Sequence, residues 1–151
     1  MLKLILSLVL IVSSLFIGQS MSSRLYRRKD VLTLFIDNIH TSITKLEYSA
    51  ETVYELFEDF SFERDKPFLP QWDSILSEYK NALNKKDLSL LKDFARGLGD
   101  TDTQSQIKHM RYYLSLLEVQ LTSAQNDINQ KSKLYRGLGF SAGVTLSLLL
   151  I

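Results

Sequence analysis

Residues 4–23 read LILSLVLIVSSLFIGQSMSS, twenty positions without a charge, and residues 137–151 read GLGFSAGVTLSLLLI, fifteen more. These two runs constrain the fold more than anything else in the 151 residues. A twenty-residue helix is about 30 Å long, the thickness of a bilayer's hydrocarbon core. Eleven residues of the first run are Leu, Ile, Val or Phe. At roughly 0.3–0.6 kcal/mol each near the bilayer centre they outweigh the interspersed Ser, Gly and Gln. The second run reaches only about 22 Å as a helix. A crossing there needs little tilt, help from Leu134 and Tyr135, and snorkelling of Lys133 and Arg136. The expected organisation is a transmembrane helix over 2–23, a helical body over 24–136 and a C-terminal transmembrane helix over 137–151. The rival for the first run is a cleaved leader, which would make the chain an exported or membrane-attached coiled-coil adaptor. Against it, no A-x-A-like site precedes Arg24, where the chain reads Gly18-Gln19-Ser20-Met21.

Charge is segregated in the same way. All 17 acidic residues lie between Asp30 and Asp127 with ten basic ones, so that stretch carries 10 − 17 = −7. Flanking it are Arg24, Arg27, Arg28 and Lys29 on one side and Lys131, Lys133 and Arg136 on the other. The formal net charge of +1 is a cancellation. With seven cations against the inner edges of the runs, the positive-inside rule places 24–136 in the cytoplasm, at a cell membrane, with both termini facing outward. An acidic body repels phosphates, which argues against nucleic acid. The absence of cysteine excludes disulfides and thiolate metal sites. Ser14 with Gly18, and Gly139 with Gly143, form small-xxx-small steps that let the two ends, or two copies of the chain, pack closely in the bilayer.

Between the runs the apolar spacing is three-and-four nearly throughout, so the body is all-α. Leu32, Ile36, Ile39, Ile43 and Leu46 form one stripe, and Ser49 is a candidate cap for a second helix carrying Val53, Phe57 and Phe60. The only prolines, Pro67 and Pro70, mark a connection. A helix from Pro70 would show Trp72, Ile75, Leu76, Tyr79 and Leu83 on one face, and Asp87 would cap the next, stopped by Gly97 and Gly99. Thr101 to Gln104 fits a capping box for the longest element, whose Ile107, Met110, Leu114, Leu117, Leu121, Ala124 and Ile128 make a narrow seam. That helix continues into the C-terminal run, with Gly137 and Gly139 as a candidate hinge. The expected fold is an antiparallel bundle of about five to six helices flanked by transmembrane helices.

Catalytic, metal and cofactor sites are not expected. His40 and His109 are the only imidazoles and lack metal-ligand spacing, and no nucleophile elbow or phosphate-binding glycine loop occurs. Glu55, Glu58 and Asp59 read as a solvated face, and the many aromatic residues as core in preference to a small-molecule sensor. The specific-looking stretch is "TDTQSQIKHMR", residues 101–111, where polar groups on a helix start suit a contact surface for a partner.

Residues 94–118, FARGLGDTDTQSQIKHMRYYLSLLE, resemble the L-G-x-S-D-x-x-x-Q-x-K-H-I signature of the stage III sporulation protein AB family of endospore-forming bacteria. Leu98, Gly99, Asp102, Gln106, Lys108 and His109 match, with Thr101 for Ser and Met110 for Ile. Both ends of the chain are similar to that family's ends. Where its members usually carry Gly and Pro after the first long helix, this chain has Ser49-Ala50-Glu51-Thr52. The resemblance implies a non-enzymatic platform of the channel joining mother cell and engulfed forespore, seated in the mother-cell membrane. It implies a fold similar to the cytoplasmic domain of type II secretion platforms, and coupling of a cytosolic secretion-type ATPase to other channel subunits. Thr101, Asp102, Gln106, Lys108 and His109 are then the interface candidates.

Overall fold

A computed structural model describes residues 2–49, 53–99 and 102–150, and every regular element among them is helical. In chain order these are α1 (Leu2–Tyr48), the single turn α2 (Val53–Leu56), a 3-10 turn (Glu58–Phe60), α3 (Phe68–Glu78), α4 (Lys85–Arg96) and α5 (Thr103–Leu150). The residues divide into two compact units, one of Arg28–Thr122 and one of Met1–Arg27 with Ser123–Ile151.

The all-helical architecture agrees with the periodicity, whereas the count of elements does not. The terminal runs are the ends of α1 and α5, not helices of their own, so fewer and longer elements replace the expected five or six plus two. The chain stays helical through Gly137 and Gly139, where a hinge was expected. Among the described residues no helix is long and apolar enough to cross a membrane, so the flanking transmembrane helices lack structural support. Ser13, Ser14, Gly18, Gln19 and Ser20 dilute the first run, and the second supplies only residues 137–150 to its helix.

Within Arg28–Thr122 the core follows the seams. On α1, Leu32, Phe35 and Ile39 are sealed, flanked by Ile36, Ile43 and Leu46; on α5, Ile107, Met110, Leu114 and Leu117 are buried. Across that pair Glu47 accepts from Arg111, and His40 stands 3.7 Å from Glu118. Trp72 is the hub, 1% exposed, ringed by Phe57, Phe68, Phe35, Phe60, Phe94 and Phe62 at centroid distances from 5.4 to 6.2 Å. Its indole Nε1 donates to the Leu91 carbonyl at 3.0 Å, so this large buried side chain leaves no polar atom unsatisfied.

That hub explains why the helix expected after Ser49 is only a turn. At 100° per residue a helix would aim Phe57 and Phe60 to one side and Phe62 away from it. All three rings reach Trp72 because the chain turns at Ser61, whose φ of 53° is left-handed. Ser49 itself returns its amide and hydroxyl to the Lys45 carbonyl at 2.8 and 2.9 Å, at the end of α1. The rest of the expected break, residues 50–52, lies outside the described residues.

Two caps also differ from expectation. α3 starts at Phe68 after Pro67, two residues before Pro70, and leaves Leu83 in the following turn. Asn84, not Asp87, caps α4: its side chain accepts from the Asp87 amide at 2.8 Å while Asp87 Oδ2 accepts from the Asn84 amide at 3.1 Å. Asp87 is fully buried and also receives Arg28, whose Nε donates to Oδ2 at 2.8 Å and whose guanidinium reaches Oδ1 at 3.1 Å. This two-pronged pair fixes the start of α4 to α1.

In the other unit, the first part of α1 lies against the last part of α5. Ser22 and Ser132 share a buried hydrogen bond of 2.8 Å between hydroxyls. A Cβ on Gly18 would come within 2.8 Å of the Tyr135 carbonyl oxygen, and one on Gly139 within 2.8 Å of the Ser14 carbonyl oxygen. Only glycine admits backbones this close.

Candidate partner surface and the paired helical ends

The polar stretch singled out in the sequence forms the corner between α4 and α5. α4 closes at Gly97, whose amide donates to the Ala95 and Phe94 carbonyls, and Leu98 turns into the core before Gly99 at φ 91°. α5 opens at Thr103 with Asp102 before it: Asp102 Oδ2 accepts from the Ser105 amide at 3.2 Å and its carbonyl from the Gln106 amide at 3.0 Å. The cap is therefore one residue later than the expected Thr101, which lies outside the described residues. Hydrogen bonds from the Ser105 side chain and amide hold the Asp102 carboxyl below its usual 3.8.

His109 turns inward. Its ring stacks on Phe94 at 5.9 Å and meets Tyr113 at 4.8 Å. Nε2 lies 2.8 Å from the Phe94 carbonyl, which can only accept, so Nε2 carries the proton. A Cβ at Gly97 would fall 2.2 Å from His109 Cε1. Gly97 is thus the floor of the histidine's seat, and His109 adds a second donor to a carbonyl in the last turn of α4 that the Gly97 amide also reaches. Tyr113 packs beside it; burial, with Asp93 and Tyr112 adding, raises its hydroxyl above the usual 10.0 and keeps it neutral. Five residues were expected to form one contact surface, and the corner sorts those described. His109 is committed to the fold, Gln106 is half-buried, Asp102 caps, and Lys108 stands exposed on the helix. One turn on, Tyr112 is 60% exposed and widens that outer face. Sequence reading missed the Phe94–Gly97–Tyr113 seat, because its partners lie on another helix. The spacing of Gly97 twelve residues before His109 gives no local sign of contact.

The expected basic flanks separate too. Arg24, Arg27 and Lys133 are exposed, and Lys29 is half-buried, 4.0 Å from the Asp30 carboxylate. Arg28 is bound to Asp87 and Lys131 to Asp127, so neither offers a free charge; the Arg136 side chain lies outside the description. Of the small residues, Ser14, Gly18 and Gly139 meet at the helix crossing and Gly143 is buried. Among the described residues of that unit several large apolar side chains are exposed: Phe16 is 77% exposed and Leu148 71%, and Ile17, Leu138 and Phe140 are exposed too.

A shallow groove of about 410 Å³ lies between the Phe60–Pro67 loop and α3. Gln71 in its wall is fully occupied, accepting from the Glu63 amide at 2.8 Å and donating to the Glu63 carbonyl at 2.9 Å. Of the expected solvated carboxylates, Glu55 pairs with Arg64 at 2.8 Å.

A family model described as stage III sporulation protein AB matches residues 63–151. Stage III sporulation protein AB of Bacillus subtilis (strain 168) is 32% identical over 119 residues, covering 75% of this chain and 70% of that protein. No solved structure matches.

Proposed function

Because the chain belongs to the stage III sporulation protein AB family, we propose that it is a non-enzymatic, membrane-anchored platform of the channel between mother cell and forespore. In this reading the helical unit Arg28–Thr122 lies in the cytoplasm and couples a secretion-type ATPase to membrane subunits of the channel. The paired ends of α1 and α5 sit together in the bilayer around the forespore. The family assignment carries the role in sporulation.

One observation carries the rest: the chain divides its apolar residues in two opposite ways. In Arg28–Thr122 most are buried, many of the aromatic ones around Trp72, whereas in the other unit Phe16, Ile17, Leu138, Phe140 and Leu148 are exposed. Large apolar side chains turned outward are a liability in water and a fit in lipid. The inside of that pair is built of Ser14, Gly18, Ser22, Ser132 and Gly139, the small and hydroxyl residues that bring helices together where apolar burial offers no drive. Neither run has to cross alone if the two cross as a pair.

At the α4–α5 corner the reading assigns the partner contact to the outer face, Lys108 and Tyr112, with His109 holding that face in position. Replacing Lys108 and Tyr112 with Ala tests it, since both are exposed and substitutions there change stability by about 0.5 kcal/mol or less. The expected result is an unchanged unfolding midpoint with fewer heat-resistant spores. Full sporulation in that variant would remove the corner from the interface.

A further inference from the structure

We propose that the groove beside the crossing of the helical ends, formed by Tyr26 of α1 with Asn129 and Lys133 of α5, binds the phosphate of an anionic phospholipid headgroup. This rests on the reading that the paired helical ends sit in a bilayer.

The groove lies wholly within the unit of Met1–Arg27 and Ser123–Ile151, and holds about 340 Å³ among Tyr26, Ile128, Asn129, Ser132 and Lys133. The pairing of the two helices builds it. Ser22 meets Ser132 inside the crossing, and Tyr26 stands one turn further along α1 while Ile128 stands one turn back along α5. The Ser132 hydroxyl is occupied by Ser22, but the other polar ends have no such use. Among the described residues neither the Tyr26 hydroxyl nor the Lys133 ammonium has a hydrogen bond or ion pair. Asn129 Oδ1 accepts from Gln125 at 3.4 Å, which leaves its amide N–H groups to donate. A hydroxyl, an amide and an ammonium thus offer donors at one groove, a set that suits an oxygen anion.

Charge and the adjoining surface say which anion. Residues 1–27 and 123–151 hold six Lys/Arg and one acidic residue, or 6 − 1 = +5, and that residue, Asp127, is already bound to Lys131. Charge alone would suit a free phosphate equally. The face that leaves the groove would not. On α5, Lys133 is followed at i+4 and i+7 by Gly137 and Phe140, which share its side of the helix. A Cβ on Gly137 would meet nothing within 4 Å, and the Phe140 ring is exposed. That face therefore passes from a cation through open space to an apolar surface, the order of a headgroup and its acyl chains. A phospholipid uses both parts, whereas inorganic phosphate uses only the first.

The chain has no cysteine, so Gln130→Cys, exposed beside Asn129, takes a single donor fluorophore. The full chain is reconstituted into phosphatidylcholine vesicles carrying a trace of tail-labelled phosphatidylglycerol or of tail-labelled phosphatidylcholine, and energy transfer to each is read. Transfer to phosphatidylglycerol should exceed transfer to phosphatidylcholine. Lys133→Gln should weaken that preference about fivefold, the contribution of one lysine near an anionic headgroup. Tyr26→Phe removes a donor without changing the charge and should weaken it about two- to tenfold. Arg24→Gln loses the same charge as Lys133→Gln, but from an exposed position two residues before Tyr26 and so on the opposite side of α1. It should leave the preference nearly unchanged. Equal transfer to the two lipids, no effect of Tyr26→Phe, or equal losses in Lys133→Gln and Arg24→Gln overturns the groove while the membrane reading stands. Displacement of the labelled lipid by inorganic phosphate assigns the groove to the free anion and overturns the lipid occupant. Failure of the chain to float with the vesicles overturns the membrane reading and the groove together.

Discussion

Single residues in this chain are decided by who reaches them across helices. Gly97 is the clearest case, because the place its Cβ would take is already filled by the His109 ring. Gly97→Ala should lower stability by about 1–3 kcal/mol in chemical denaturation, the range for overfilling a packed site. In a double-mutant cycle, adding Gly97→Ala to His109→Ala should cost much less than it does alone, because the ring is gone. Additive effects would show that the two do not share a seat. Arg28→Ala should be worse, roughly 3–5 kcal/mol, because it leaves the fully buried Asp87 carboxylate without its cation. Asp102 sets a pH dependence. Its carboxyl titrates below 3.8 in the folded chain, so the cap stabilises at pH above 3.8 and is lost as pH falls through the depressed value. Asp102→Ala should melt earlier than the parent at pH 7, and the two melting curves should converge in stronger acid. A gap that stays constant with pH would show that the cap does not work through its charge.

At the level of elements, helix identity was legible and helix ends were not. Periodicity named most of the α1 stripe and the α5 seam, because each is set by the chain's own 3.6-residue repeat; it left out the sealed Phe35 and included Leu121, which is only half-buried. The turn at Ser61 was hidden, since it exists to bring Phe62 onto a tryptophan ten residues away. The α4 cap was half legible: Asn84 and Asp87 have capping-box spacing, but the burial of Asp87 depends on Arg28, 59 residues earlier. The candidate surface was legible as a polar block, and its division into inward His109 and outward Lys108 was not, because the seat belongs to α4. The pairing of the helical ends gives a direct check. Ser22→Cys with Ser132→Cys, in a chain with no other cysteine, should form an intrachain disulfide under mild oxidation. Gly139→Leu should sharply reduce that product, because its side chain would meet the Ser14 carbonyl. Equal yields with and without the leucine would mean that the crossing does not depend on close backbones.

For the molecule as a whole, one sorting of residues runs through the account. Most apolar side chains of one unit are buried, with an aromatic cluster around Trp72, while among the described residues of the other several large ones are exposed, and the acidic charge belongs mostly to the first. The account requires that acidic unit to sit on the cytoplasmic side of a membrane held by the paired ends. Tyr48 is 88% exposed at the end of α1, so Tyr48→Cys supplies one reactive thiol without touching the core. Labelling with a membrane-impermeant maleimide in sporulating protoplasts tests the arrangement most directly. The thiol should stay unlabelled in intact protoplasts, pellet with the membranes, and react only after lysis. Labelling before lysis, or recovery of the chain in the soluble fraction, would contradict it.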